Sequence, residues 1–172
     1  MIRSEKRYRE LETILKKGKA VLITEAVKSL RDEEPFEGAI GLLAEHYNST
    51  TDKGNIHVIE EFFNDIKYQS ARTEVMAEIL KSSYKQSTIS MLVSSCWQSG
   101  LDYSGYIQDI VKIFLEGDYA TAIECMTLIE ESSRFNTREE KDNAIRIVEK
   151  SPEAYTHEKN ALSQELISIL TR

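Results

Sequence analysis

The sequence predicts an all-α protein: a right-handed α-α solenoid of about four two-helix repeats with a capping helix at each end, about ten helices in all. Three observations carry this. First, apolar positions recur 33 residues apart in four helix-like segments. Ile23, Ile56, Ile89 and Ala122 form one column, Ala26, Ile59, Leu92 and Cys125 a second, and Leu30, Phe63, Cys96 and Ile129 a third. A fourth, Val27, Glu60, Val93 and Met126, is apolar at three of four positions. A fixed period of this order marks units that bury their apolar faces only by stacking on one another. Second, the 172 residues include two Pro and seven Gly, too few to punctuate many β-turns but enough to end several helices. Third, 41% hydrophobic and 30% charged residues suit a helix-rich chain with one solvated face per helix.

The elements follow in order. Ser4 is positioned to cap a helix running to Lys17, with Tyr8, Leu11, Ile14 and Leu15 as one narrow stripe and Gly18 as its end. One stripe suits a cap that touches the stack on one side. Residues 1–18 are therefore expected to cap the start, 19–150 to form the repeats, and 151–172 to cap the end. The first repeat takes Lys19–Leu30, then Pro35–Tyr47, with Pro35 in the first turn where its missing N–H is harmless. The second takes Gly54–Ile66 and Ser70–Ser82. The third runs from Ser87 or Thr88 to Trp97, with Gly100 just past the end, and then Ser104–Glu116. The fourth takes Tyr119–Glu131, then a helix to Lys150 opened by Thr137 and Glu140 as a capping box. Ser151 and Pro152 restart the chain into the last helix, whose stripe is Leu162, Leu166, Ile169 and Leu170. The second helices align as well: Leu43, Met76, Val111 and Ile145 correspond at offsets of 33, 35 and 34.

Charge narrows the function classes. The net charge of −7 argues against a nucleic-acid surface, which calls for a basic excess. The balance is uneven: residues 1–19 hold seven basic and three acidic side chains, a local +4, leaving −11 for the rest. That basic stretch is either a solvated helix face or a contact point for an acidic partner. The first residues carry charge and no apolar run of a signal peptide, and no stretch approaches a membrane span. Cys96 and Cys125 read as buried thiols on different repeats. A cytoplasmic protein is expected.

Candidate chemistry is sparse. His57 precedes Glu60 and Glu61 by three and four residues, so the three can share a helix face, but a metal site lacks its second half. The bland account is a solvated face, with Glu60 paired or snorkelling. The serines from Ser82 to Ser99 suit close packing and capping better than nucleophilic catalysis. Gly38 and Gly41 flank Ile40 inside a helix and suit close approach of a neighbour. No enzyme activity, metal or cofactor is expected. The most unusual local composition is Trp97, Tyr103 and Tyr106 around Asp102, with Tyr68 and Tyr84 at preceding turns. Aromatics at an inter-helix turn are either packed core or a presented interface. With Asp102 beside them, a basic or amphipathic peptide is the natural ligand.

With its two-helix units, short connections and small or β-branched first-helix columns, the chain from about Lys19 to Lys150 resembles HEAT and armadillo-like repeat proteins. The run from Gly117 through Asp118, Tyr119 and Ala122 to Glu124 also resembles one tetratricopeptide turn and helix, but occurs once, so HEAT-like geometry ranks first. The resemblance implies a superhelix that binds a protein or peptide partner on its concave face, a scaffold rather than a catalyst. The alternative it implies is a nucleic-acid-associated member, similar to HEAT-like DNA-repair glycosylases. That alternative requires a basic stripe along the second helices, where Lys67, Arg72, Lys81 and Lys112 stand among many acids.

Overall fold

Helix start signals and apolar spacing produce ten α-helices and four short 3-10 turns, with no strand among the described residues; the computed structural model describes residues 3–81 and 83–172. No helix among them is long and apolar enough to cross a membrane. The chain divides into two compact units, Met1–Leu101 and Asp102–Arg172.

The first unit holds α1 (Glu5–Lys17), α2 (Ala20–Arg31), α3 (Ala39–Ser49), α4 (Lys53–Asn64), α5 (Arg72–Ile79) and α6 (Gln86–Gln98). Helix α1 packs on α3 and α3 on α5; α2 packs on α4 and α4 on α6, with α1–α2, α3–α4 and α5–α6 also in contact. The second unit holds α7 (Ile107–Glu116), α8 (Tyr119–Ser132), α9 (Arg138–Lys150) and α10 (Asn160–Thr171). There α7 packs on α8 and α9, and α10 on α8 and α9.

The predicted columns are interior. Leu30, Phe63, Cys96 and Ile129 are all buried. In the other three columns only Ile56, Ala26, Glu60 and Met126 are half-exposed, and the rest are buried. Cys96 and Cys125 are buried free thiols. The N-cap residues of α2, α4, α6 and α8 are Lys19, Asp52, Lys85 and Asp118, again 33 apart. Asp52 and Asp118 cap through their own side chains, each accepting at 2.8 Å from the amide three residues on. Lys85 cannot, and Asn48 at the end of α3 substitutes: its Oδ1 accepts from the Lys85 amide and the Thr88 hydroxyl, both at 2.9 Å. A polar column lies just inside the starts of α4, α6 and α8, whereas the equivalent residue of α2 is the exposed Leu22. Asn55, Thr88 and Thr121 share the 33-residue spacing and are at most 3% exposed.

Several ends differ from the sequence reading. Helix α3 begins at Ala39 rather than Pro35, because Gly38 adopts a left-handed conformation with φ 88° and breaks the turn before it. Gly38 is thus a helix-start residue rather than an interior one. Its missing Cβ also leaves room for the ring of Tyr8, which would lie 2.7 Å from one. The segments before α5 and α7 are 3-10 turns, Gln69–Ala71 and Ser104–Tyr106. Ser82, the expected end of α5 and first of the candidate serines, lies outside the described residues. Pro152 opens only a 3-10 turn, Pro152–Tyr155, and the last helix starts at Asn160. Ser4, Gly100 and the Thr137–Glu140 box act as read: Ser4 accepts from the Arg7 amide, Gly100 has φ 68°, and both capping-box bonds form.

Candidate functional site

In the first unit, an open groove of about 430 Å³ lies between α1 and α3. Leu15 and Leu42 form its floor, each less than a tenth exposed. They sit there because the α1 stripe of Leu11 and Leu15 is pressed onto α3, which carries its own apolar run Ala39–Ala44. The rim is charged. Glu12 and Lys16 pair at 2.7 Å along α1, one turn apart, and Glu45 stands exposed on α3. At one end His46 lines the groove with its Nε2 buried and without a hydrogen-bond partner. Burial holds the His46 imidazole below its ordinary pKa, against a smaller opposing pull from Asp52. The groove therefore offers an apolar floor and a mixed-charge edge, while the His46 Nε2 is enclosed rather than open to an occupant. Such a composition takes an apolar side chain flanked by polar or charged groups.

The start of α3 is fixed by a residue distant in sequence. The Glu74 carboxylate on α5 accepts from the Gly38 and Gly41 amides, both at 3.2 Å. Those are orphan donors of the first turn. Burial raises the Glu74 pKa despite these two bonds. One turn on, Glu78 is 5% exposed and accepts from Tyr84 Oη at 2.6 Å and from Lys81. A Cβ on Gly41 would lie 2.9 Å from Glu78 Oε1, so this glycine does serve close approach.

A smaller cleft of about 230 Å³ lies where α2 and α4 end. Arg31 crosses there to pair with Glu61 at 3.1 Å and with Asp65. Tyr68 lines this cleft and is 38% exposed.

The residues singled out from sequence divide. Trp97 is half-exposed at the end of α6 in the first unit. Asp102, Tyr103 and Tyr106 belong to the second. Asp102 is half-exposed and its Oδ1 accepts from the Ser104 amide at 2.9 Å, an Asx turn. Tyr103 is 1% exposed, so its ring is interior and not presented. Tyr106 is half-exposed, its ring 6.3 Å from that of Tyr103. His57 is exposed with Nε2 3.8 Å from Glu61, whereas Glu60 turns away and accepts from Tyr47 Oη at 2.8 Å. Among the described residues no group of three or more His, Cys, Asp and Glu side chains is placed to hold a metal ion.

The groove was not found from sequence. Leu15, Leu42 and His46 read as ordinary core and surface positions of two helices, and only their packing makes a shared concavity. Compared with known proteins, this chain matches no family model, no curated protein and no solved structure.

Proposed function

We propose that this protein is a non-catalytic interaction module, an α-α repeat stack that holds a partner protein or peptide along the surface of its cap and second helices. The observation that carries this reading is the groove between α1 and α3, with its Leu15–Leu42 floor and its charged rim of Glu12, Lys16 and Glu45. Apolar side chains of an extended or helical partner fit such a floor, and polar groups beside them meet the rim.

The repeat reading is supported by the recurrence of equivalent roles at one spacing. Helix starts at Lys19, Asp52, Lys85 and Asp118, buried polar residues at Asn55, Thr88 and Thr121, and interior residues at Leu30, Phe63, Cys96 and Ile129 all step by 33. The packing of every second helix, α1 on α3 on α5 and α2 on α4 on α6, is the contact pattern of stacked hairpins. The nucleic-acid alternative is weakened by the state of its cations. Lys81 is engaged by Glu78 and Lys112 by Asp109, so neither adds to a free basic stripe.

The test is site-directed photocrosslinking. A benzophenone side chain at Glu45, on the groove rim, is compared with one at Lys28 on the exposed side of α2. A defined protein captured at Glu45 only, whose purified form then binds less tightly to Leu42→Asp than to wild type, supports the groove. Equal capture at both positions, or equal affinity for both proteins, overturns it.

A further inference from the structure

We infer that the outer face of α8, in the second unit, is a separate docking surface for a basic amphipathic helix of a partner protein. Burial divides α8 cleanly. Thr121, Ala122, Cys125, Leu128, Ile129 and Ser132 face inward. The opposite side exposes Tyr119, Ala120, Ile123, Glu130 and Glu131, with Thr127 half-exposed between them.

Two features make this face unlike a solvated helix surface. Its first half is apolar: Tyr119 is 58% and Ile123 37% exposed, one turn apart. Scattered exposed apolar residues are ordinary, but adjacent ones on one helical stripe offer a contact strip. Its second half is acidic. Residues 113–134 contain Glu116, Asp118, Glu124, Glu130 and Glu131 against Arg134 alone, a charge of −4 within a chain of −7. Glu116, Glu130 and Glu131 are exposed and engage in no ion pair among the described residues. An apolar strip leading into unpaired carboxylates is complementary to a helix with leucine-like residues on one side and Lys or Arg on the other.

The occupant is another protein rather than a second copy of this chain. The basic stretch of this chain is residues 1–19, where Lys6, Arg7, Arg9 and Lys16 are held by Glu10, Glu33, Glu5 and Glu12. The helix that carries them has its own leucines, Leu11 and Leu15, buried, so a copy has no apolar face beside its cations to lay on α8. This inference lies in a different unit from the α1–α3 groove and stands without it.

The probe is a fluorescein-labelled helical peptide with lysines on one face and leucines on the other, titrated with the full chain and followed by anisotropy. The control peptide replaces lysine by glutamate. The expected result is saturable binding of the lysine peptide only, weakened by added salt. Two variants, Tyr119→Ser with Ile123→Ser, and Glu130→Gln with Glu131→Gln, should each weaken it roughly tenfold, since each removes one of the two complementary halves. All four positions are exposed, and circular dichroism checks that both variants fold. Glu45→Arg in the groove should leave peptide affinity unchanged, which separates failure here from failure of the groove. The inference is overturned if the glutamate peptide binds equally, if neither peptide binds, if Glu45→Arg alone abolishes binding, or if both α8 variants bind like wild type. Sedimentation showing a wild-type dimer lost in the Tyr119→Ser, Ile123→Ser variant would overturn it in favour of self-association.

Discussion

The Lys159 ammonium donates to the Leu115 carbonyl at 2.6 Å, across 44 residues of sequence. It also donates to the carbonyls of Phe114 and Gly117, and the residue is only 6% exposed. A buried lysine thus closes the C-terminal end of α7, where carbonyls lack partners and the helix dipole favours a cation. The same contact ties the segment leading into α10 to the middle of the second unit. Desolvation lowers the Lys159 pKa, while the three carbonyl oxygens accept hydrogen bonds from the ammonium and solvate it in place of water.

Lys159→Met should therefore destabilise the second unit by about 2 kcal/mol, the scale of charge-assisted hydrogen bonds lost from buried acceptors. Urea unfolding measures it. Amide exchange should rise at the end of α7 and the start of α10. Unchanged stability would mean that the ammonium merely offsets its own desolvation.

Replacing Glu74 by Ala strands the Gly38 and Gly41 amides at the start of α3. The expected loss is about 1–2 kcal/mol, as for removal of a helix cap. Glu74→Gln retains an acceptor and should lose less. Thermal melts of the two variants decide the matter, and equal losses would show that the amides are not the reason.

Gly→Ala inside a helix usually stabilises by roughly 0.5–1 kcal/mol. Gly41→Ala should instead destabilise, because the new methyl meets Glu78 Oε1 while Tyr84 and Lys81 hold that carboxylate in place. In a Glu78→Ala background the sign should reverse. A double-mutant cycle with no coupling would refute the contact.

Stability should depend on pH through His46. Burial holds its folded pKa below 6.5, so the unfolded chain binds this proton more tightly. The contribution is complete above pH 6.5 and is lost as the pH falls from 6.5 through the folded value. His46→Gln should flatten that part of the profile. Melting temperatures of both proteins across this range test it, and parallel curves would exclude His46 as the source.

Tyr103→Ala should cost about 3–5 kcal/mol, in line with truncating a buried aromatic. Tyr106→Ala, at a half-exposed position, should cost about 1 kcal/mol or less. Chemical denaturation of the two single variants separates these roles. Equal, small losses would place Tyr103 outside the core.

Much of the fold was legible. The 33-residue columns located the interior of four helices because burial of one helical face demands a 3.6-residue rhythm whatever the partner is. Ser4, Gly100 and Thr137 marked ends because their chemistry acts within one turn. Asn55, Thr88 and Thr121 carried the same spacing, but a polar side chain bears no local mark that it will be buried. The start of α3 was misread because Pro35 is a valid first-turn residue locally, and only Gly38 in its left-handed conformation reveals the break. The α1–α3 groove and the Lys159 contact could not be read, since neither follows any local pattern.

By itself, then, the sequence determined the helical content, the 33-residue spacing of buried positions and which face turns inward in α2, α4, α6 and α8, because helix formation and facing depend on residues within a few turns of one another. Tertiary structure alone decided that Tyr103 is interior while Tyr119 and Ile123 are exposed, that Glu74 caps α3, and that Lys159 is buried against α7. Each of those outcomes depends on which segments distant in sequence come to lie within a few ångströms, and no local rule encodes that.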